Sequence, residues 1–241
     1  VVRGMTIRPR VTVAGAGVLG LTTALALADA GCAVTLADPG GPNASGVAAG
    51  MIAPVFEAVL DPAARDHFDL LLAARDLWPA LADRAGIALD RSGALAVGGD
   101  AWLGQVAQGF ADLNERPTEI GGRTARALAP GLGETFRAAV LTREDWRVEA
   151  FAALEALRAA AATAGVAFLS RTVTGRDDAD VLVVATGASD ELVVVAPEIA
   201  TLSPIKGHIV RVAGPAVGTV VRGEGAYVAP GEDMIFGATM E

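Results

Sequence analysis

"VTVAGAGVLGLTTALALADAGCAVTLADP", residues 11 to 39, has no charged side chain from Val11 to Ala28, and its reading decides the fold. With the basic "RPR" before it and the small-residue "ALADA" behind it, the stretch imitates an export signal, and its length approaches that of a membrane span. Its residue types, however, change halfway. The β-branched "VTVAGAG" suits a buried strand, whereas "LTTALALADAG" suits a helix that stops at Gly31. Gly15, Gly17 and Gly20 spell G-x-G-x-x-G where the two meet. Each glycine costs a helix interior about 1 kcal/mol relative to alanine, so three weaken the spanning reading. They suit a strand–turn–helix unit that holds a dinucleotide. The first glycine makes the turn, the second admits a pyrophosphate to the backbone, and the third lets helix and strand pack closely. The amides of Val18 and Leu19 at the helix start, with the helix dipole, complete the phosphate site. A second apolar strand, "CAVTLAD", ends in Asp38, followed by Pro39. A carboxylate there can accept from ribose hydroxyls, which implies a dinucleotide with a free 2′-hydroxyl.

The bulk composition agrees with a compact enzyme-sized chain. Of 241 residues 52% are hydrophobic, enough for one large or two small cores. The 28 acidic and 19 basic residues leave a net charge of −9, which argues against nucleic acid and anionic lipid as partners. A single cysteine, Cys32, cannot form an internal disulfide and points to a reducing cytoplasm. Two histidines, His67 and His208, without partner cysteines offer no zinc-ligand spacing, so no structural metal is expected. "VVRG" before Met5 reads as the remnant of an added tag. Outside the opening stretch no uncharged apolar run reaches the roughly 18 residues of a span.

Both FAD and NAD proteins use such a unit, and the next segment favours FAD. Residues 43 to 54, "NASGVAAGMIAP", form a small-residue run that can lie flat against a large planar cofactor, although a plain glycine–alanine loop would have the same composition. The run, placed after the fingerprint, resembles the D-amino-acid oxidase family of FAD-dependent oxidoreductases, and within it glycine oxidases. Four further segments resemble that family in the same order: "DWRVEAFAALEALRAAAATAGVAF" (145–168), "DADVLVVATGASDEL" (178–192), "LSPIKGHIVRV" (202–212) and "AYVAPGEDMIFGATME" (226–241).

The resemblance implies an α/β fold, with a discontinuous Rossmann-type FAD-binding domain and a second α+β substrate domain on a mostly antiparallel sheet. Residues 5–85 and 145–200 are expected to form the FAD domain, and 86–144 with 201–241 the substrate domain. A single helix is expected across "PAARDHFDLLLAARDLWPALADRAG", with His67 on its solvated face. FAD is the implied cofactor, held by Gly15, Gly17, Val18, Leu19, Gly20, Asp38, Pro39, Ala44, Ser45, Ala49, Gly50, Met51, Val173, Ala185, Thr186 and Gly187.

The implied chemistry is oxidation of a small amine or amino acid (glycine, sarcosine or a D-amino acid) by hydride transfer to the flavin. The imine hydrolyses, and oxygen reoxidises the flavin to give peroxide. A supply of product to thiamine biosynthesis and assembly as a homo-oligomer are further expectations. Tyr227 is the expected donor to the substrate carboxylate, with Met51 and Met240 lining the pocket and Lys206 and His208 in structural roles on a strand. Two departures stand against the resemblance. The hairpin after Pro230 carries an acidic "GEDM", and the arginine that pairs with substrate carboxylate in the family has no counterpart up to Glu241, so the chain reads as a piece of a longer protein. The alternatives are an NAD-dependent dehydrogenase sharing only the first unit, and a non-catalytic flavin-binding fragment.

Overall fold

The computed structural model describes residues 8–205, 207–214 and 218–240, without the side chains of 238–240. The chain opens with β1 (Arg10–Ala14), α1 (Val18–Asp29), β2 (Ala33–Ala37) and the single turn α2 (Ala44–Val47). It continues through β3 (Met51–Ile52), α3 (Pro54–Leu60), α4 (Pro62–Arg65), α5 (Phe68–Ala85), β4 (Ala94–Ala96) and α6 (Asp100–Asp112). Next come β5 (Thr118–Gly121), α7 (Gly122–Leu128), β6 (Ala138–Thr142), β7 (Trp146–Arg147), α8 (Ala150–Thr163), β8 (Ala167–Leu169) and β9 (Val181–Val184). The described chain closes with β10 (Gly207–Val212), β11 (Val220–Gly223), β12 (Ala226–Ala229) and β13 (Met234–Met240).

Two compact units result. The first takes the chain through Val47, Arg84–Ile87 and Ala150–Pro204; the second takes Ala48–Asp83, Ala88–Glu149 and Ile205 onward. Residues 48–83, which the sequence groups with the nucleotide-binding segment, pack with the second unit. Val55, Phe56 and Ala58 of α3 are buried there, and Phe56 meets Phe110 of α6 edge-to-face at 5.4 Å.

The first unit is a four-stranded parallel sheet in the order β8-β2-β1-β9, with Val11 paired to both Val34 and Val181. Burial of Val11, Val13 and Ala14 explains why β1 reads as a near-continuous apolar run. Residues Gly20, Leu21, Ala24 and Leu25 form the buried face of α1, and this helix packs on α8. It ends as the sequence indicates. Gly31 has φ +91°, Cys32 N–H donates to the Leu27 carbonyl and Gly31 N–H to that of Ala28, a left-handed glycine cap. Twelve residues at 1.5 Å each make α1 about 18 Å long, short of a bilayer core. Among the described residues no helix is long and apolar enough to cross a membrane.

The second unit carries a seven-stranded sheet, β10-β13-β12-β11-β4-β6-β5, antiparallel except where β11 runs parallel to β4, and a separate β3–β7 ribbon. The helix expected across 62–86 is broken. A turn at Asp66 and His67, with His67 N–H on the Ala64 carbonyl, separates α4 from α5. Asp61 caps α4 by accepting from Ala63 N–H, and Pro62 occupies the first helical position, so the proline starts a short helix of its own.

Candidate cofactor and substrate sites

In the first unit the three fingerprint glycines make a cradle that side chains would fill. Gly15 has φ +101°, donates to the Ala37 carbonyl at 2.9 Å, and a Cβ there would strike the Ala185 carbonyl. At Gly20 a Cβ would lie on the Gly15 carbonyl itself, the tightest of the approaches, so the third glycine is what lets α1 sit against the turn. Gly17 caps α1 in an extended conformation, 3.1 Å from Ser45 Oγ by the same measure. Ser45, on α2, accepts from Val18 N–H at 3.1 Å, which brings the small-residue run to the helix start as expected. Leu19 is exposed beside it.

Asp38 lies at the end of β2. Its carboxylate accepts from Ala16 N–H and Gly40 N–H, each at 2.7 Å, so the acid also ties the glycine turn to the second strand. Two oxygens offer about four acceptor sites, leaving capacity for ribose hydroxyls. Pro39 follows, exposed. Val173 is buried against Ala14, Ala37 and Leu192. Ala185 N–H bonds the Ala14 carbonyl at 2.8 Å, and Gly187 turns the chain with φ +65°. The Thr186 hydroxyl between them is buried with no partner among the described residues. A cleft of about 320 Å³ opens in this unit beside Ala16, with Asn43, Gly46 and Arg158 on its walls.

Ala49, Gly50 and Met51 belong to the second unit. Ala49 is buried, Gly50 takes φ +74° and accepts from Val148 N–H, and Met51 pairs with Arg147 across the β3–β7 ribbon. Tyr227 stands on β12, half-buried, its phenol end packed against Gly237 of β13, where any Cβ would overlap it. The Arg222 guanidinium lies over that ring at 5.5 Å and donates to Glu57 at 2.5 Å. Burial raises the Tyr227 hydroxyl above its ordinary range, Arg222 opposes and Glu57 adds to the rise, so the phenol remains a proton donor at neutral pH.

Three of the buried charged groups of this unit gave no signal in the sequence. Asp145 is 1% exposed and accepts from Val55 and Phe56 N–H at 2.9 and 3.0 Å, satisfying the first amides of α3. Burial pushes its carboxyl up to about 6, while the two amides and Arg222 pull it down. The second is Arg222, 7% exposed, whose Nε is unpartnered among the described residues. Arg147, the third, is 9% exposed, with Nε and Nη2 both unpartnered among the described residues. A charged residue within a short strand reads as a solvated face, and only contacts from distant strands reveal otherwise.

The remaining expected residues divide. His67 is exposed. His208 lies on β10 and also faces outward. Lys206 and the side chain of Met240 lie outside the described residues, although the Met240 backbone pairs with Gly207. Among the described residues no group of three or more His, Cys, Asp or Glu could hold a metal ion.

A family model described as FAD dependent oxidoreductase, DAO, matches residues 10–241. The chain belongs to this family. The match runs far beyond the first βαβ unit, which sets aside a nicotinamide dehydrogenase sharing that unit alone. Glycine oxidase of Pseudomonas aeruginosa is 37% identical over 143 residues, a stretch covering 54% of this chain and 37% of that relative. Among solved structures, glycine oxidase from Geobacillus kaustophilus superposes with a TM-score of 0.79 at 26% identity, over 97% of this chain and 72% of that one. Iminodiacetate oxidase from Chelativorans sp. BNC1 shares the fold, with a TM-score of 0.77 at 22% identity over 96% and 72% of the two chains. FAD is the family's cofactor, and the DAO-type residues present fit it. The glycine cradle leaves the space a pyrophosphate needs, and the orphaned Thr186 hydroxyl beside Gly15 is a donor awaiting an acceptor.

Proposed function

We propose that the protein oxidises a small amine or amino acid of the glycine, sarcosine or D-amino acid type, with oxygen as the final electron acceptor and peroxide as a product. The observation that carries this reading is Tyr227, a half-buried phenol kept protonated and packed against Gly237 beneath Arg222, in a chain of the FAD dependent oxidoreductase family. Such a donor, beside the Arg222–Glu57 pair, suits a small ligand with one carboxylate.

Gly15, Gly17, Val18, Gly20, Ser45 and Thr186 would hold the pyrophosphate end of FAD, and Asp38 the ribose. When bound, FAD supplies the two-electron acceptor that no side chain of the chain provides. Tyr227 would donate from Oη to the substrate carboxylate and fix the amine's orientation, and Met51 would contribute an apolar, adaptable wall. Oxidation removes a hydride from Cα and a proton from nitrogen, leaving an imine, which water hydrolyses to the oxo acid and ammonia, or methylamine when the substrate is sarcosine. The lone Cys32 supports a cytoplasmic setting. The test is peroxide formation by the full-length, flavin-loaded protein supplied in turn with glycine, sarcosine and D-alanine. Peroxide with at least one supports the reading; none with any rejects it.

A further inference from the structure

We propose that the Nε–Nη2 edge of Arg147 is a carboxylate receptor, a second anchor for the acid group of the substrate. Nε–H and one Nη–H point the same way from a guanidinium, and together they grip both oxygens of a carboxylate. The molecule shows this grip elsewhere. Arg84 places Nε and Nη2 on the two oxygens of Asp29 at 3.0 and 2.8 Å, whereas Arg75 brings the same edge to a single oxygen of Asp76 at 2.9 and 2.7 Å. On Arg147 that edge is buried and carries nothing among the described residues.

An exposed arginine with an idle edge is satisfied by water. Arg147 is 9% exposed, and burial lowers its proton affinity against the opposing influence of Asp90 and Glu149, with Arg211 reinforcing the fall. A buried guanidinium with two idle donors is costly, and an anionic ligand removes that cost. The backbone holds it in place. Arg147 exchanges both amide hydrogen bonds with Asp90 at 2.8 Å and pairs with Met51. Residues directly opposite in an antiparallel pair share a face, which places Met51 and Asp90 on the same face as Arg147. Trp146, the intervening residue, points to the other face, between Arg75 and Arg91.

The identity of the ligand as substrate rests on the proposed amine oxidation, whereas the receptor itself does not, so binding is measured without turnover. The experiment is calorimetric titration of the full-length, flavin-loaded protein and its Arg147→Met and Arg147→Lys variants. The ligands are glycolate, a carboxylate without an amine, glycinamide, an amine without a carboxylate, and inorganic phosphate. Arg147→Met is expected to weaken glycolate about 10- to 100-fold and Arg147→Lys by less, since an ammonium restores charge but not the fork. Glycinamide affinity stays within twofold, and the melting temperature of Arg147→Met changes little, because the Nε–Nη2 edge makes no internal hydrogen bond among the described residues. Glycolate binding that ignores Arg147→Met overturns the proposal. So does phosphate occupying the fork in place of glycolate. A lower melting temperature with equal loss of both organic ligands also overturns it, because that pattern belongs to a structural arginine.

Discussion

The two units handle charge in opposite ways. The first relies on backbone: three glycines, the first amides of α1 and one aspartate at a strand end. In the second, buried side chains carry the charge, among them Asp145, Arg147 and Arg222, each less than a tenth exposed. A backbone site depends on what is missing, the Cβ atoms, and tolerates no addition. A side-chain site depends on what is present, so its members can be removed singly and each removal reads out one interaction.

The largest expected effect breaks the backbone side of this contrast. Gly20→Ala puts a methyl on the Gly15 carbonyl, and the loss is expected to reach about 3 kcal/mol or more, together with loss of FAD retention. Denaturant unfolding with a flavin absorbance readout measures both. Gly104→Ala is the control in open helical space on α6, and it is expected to gain about 0.5–1 kcal/mol.

Next is Asp145→Ala, which leaves the Val55 and Phe56 amides without an acceptor and is expected to cost about 2–3 kcal/mol in the same measurement. Its titration has an unusual sign. The folded carboxyl sits at about 6 against an ordinary 3.8, so between those values the folded state binds the extra proton and stability from this group falls as pH rises. Relative to Asp145→Asn, the native protein is therefore expected to lose about 1–3 kcal/mol between pH 4 and pH 7, seen in paired melting curves. A native protein that gains stability relative to Asp145→Asn as pH rises would contradict the burial argument.

Tyr227→Phe is gentler. It keeps the ring on Gly237 and removes only the donor, so the melting temperature should hold while KM for a carboxylate-bearing amine rises about tenfold. Ser45→Ala, which removes the acceptor of Val18 N–H, is the smallest, expected to cost about 0.5–1 kcal/mol.

This contrast also governs what could be read in advance. The β1–α1–β2 unit was legible because glycine spacing, the Gly31 stop and Asp38 are local in the chain and physically specific. The break between α4 and α5 was less so, since Pro62 can start a helix or interrupt one and the apolar spacing is the same either way. Strand β5, "TEIG", is exposed for most of its length and has no apolar alternation to reveal it. Arg147 and Arg222 were hidden for a different reason. Met51 and Asp90 beside Arg147, and Glu57 beside Arg222, come from far along the chain, and no short window of sequence contains both halves of those contacts.

The central claim is that the glycine cradle holds FAD for the oxidation of a small amine. Anaerobic mixing of the full-length, flavin-loaded protein with glycine, sarcosine or D-alanine tests it most directly. The oxidised flavin absorbance is expected to bleach with at least one of these amines and to return when oxygen is admitted. A flavin that stays oxidised with all of them, while dithionite still reduces it, would contradict the account.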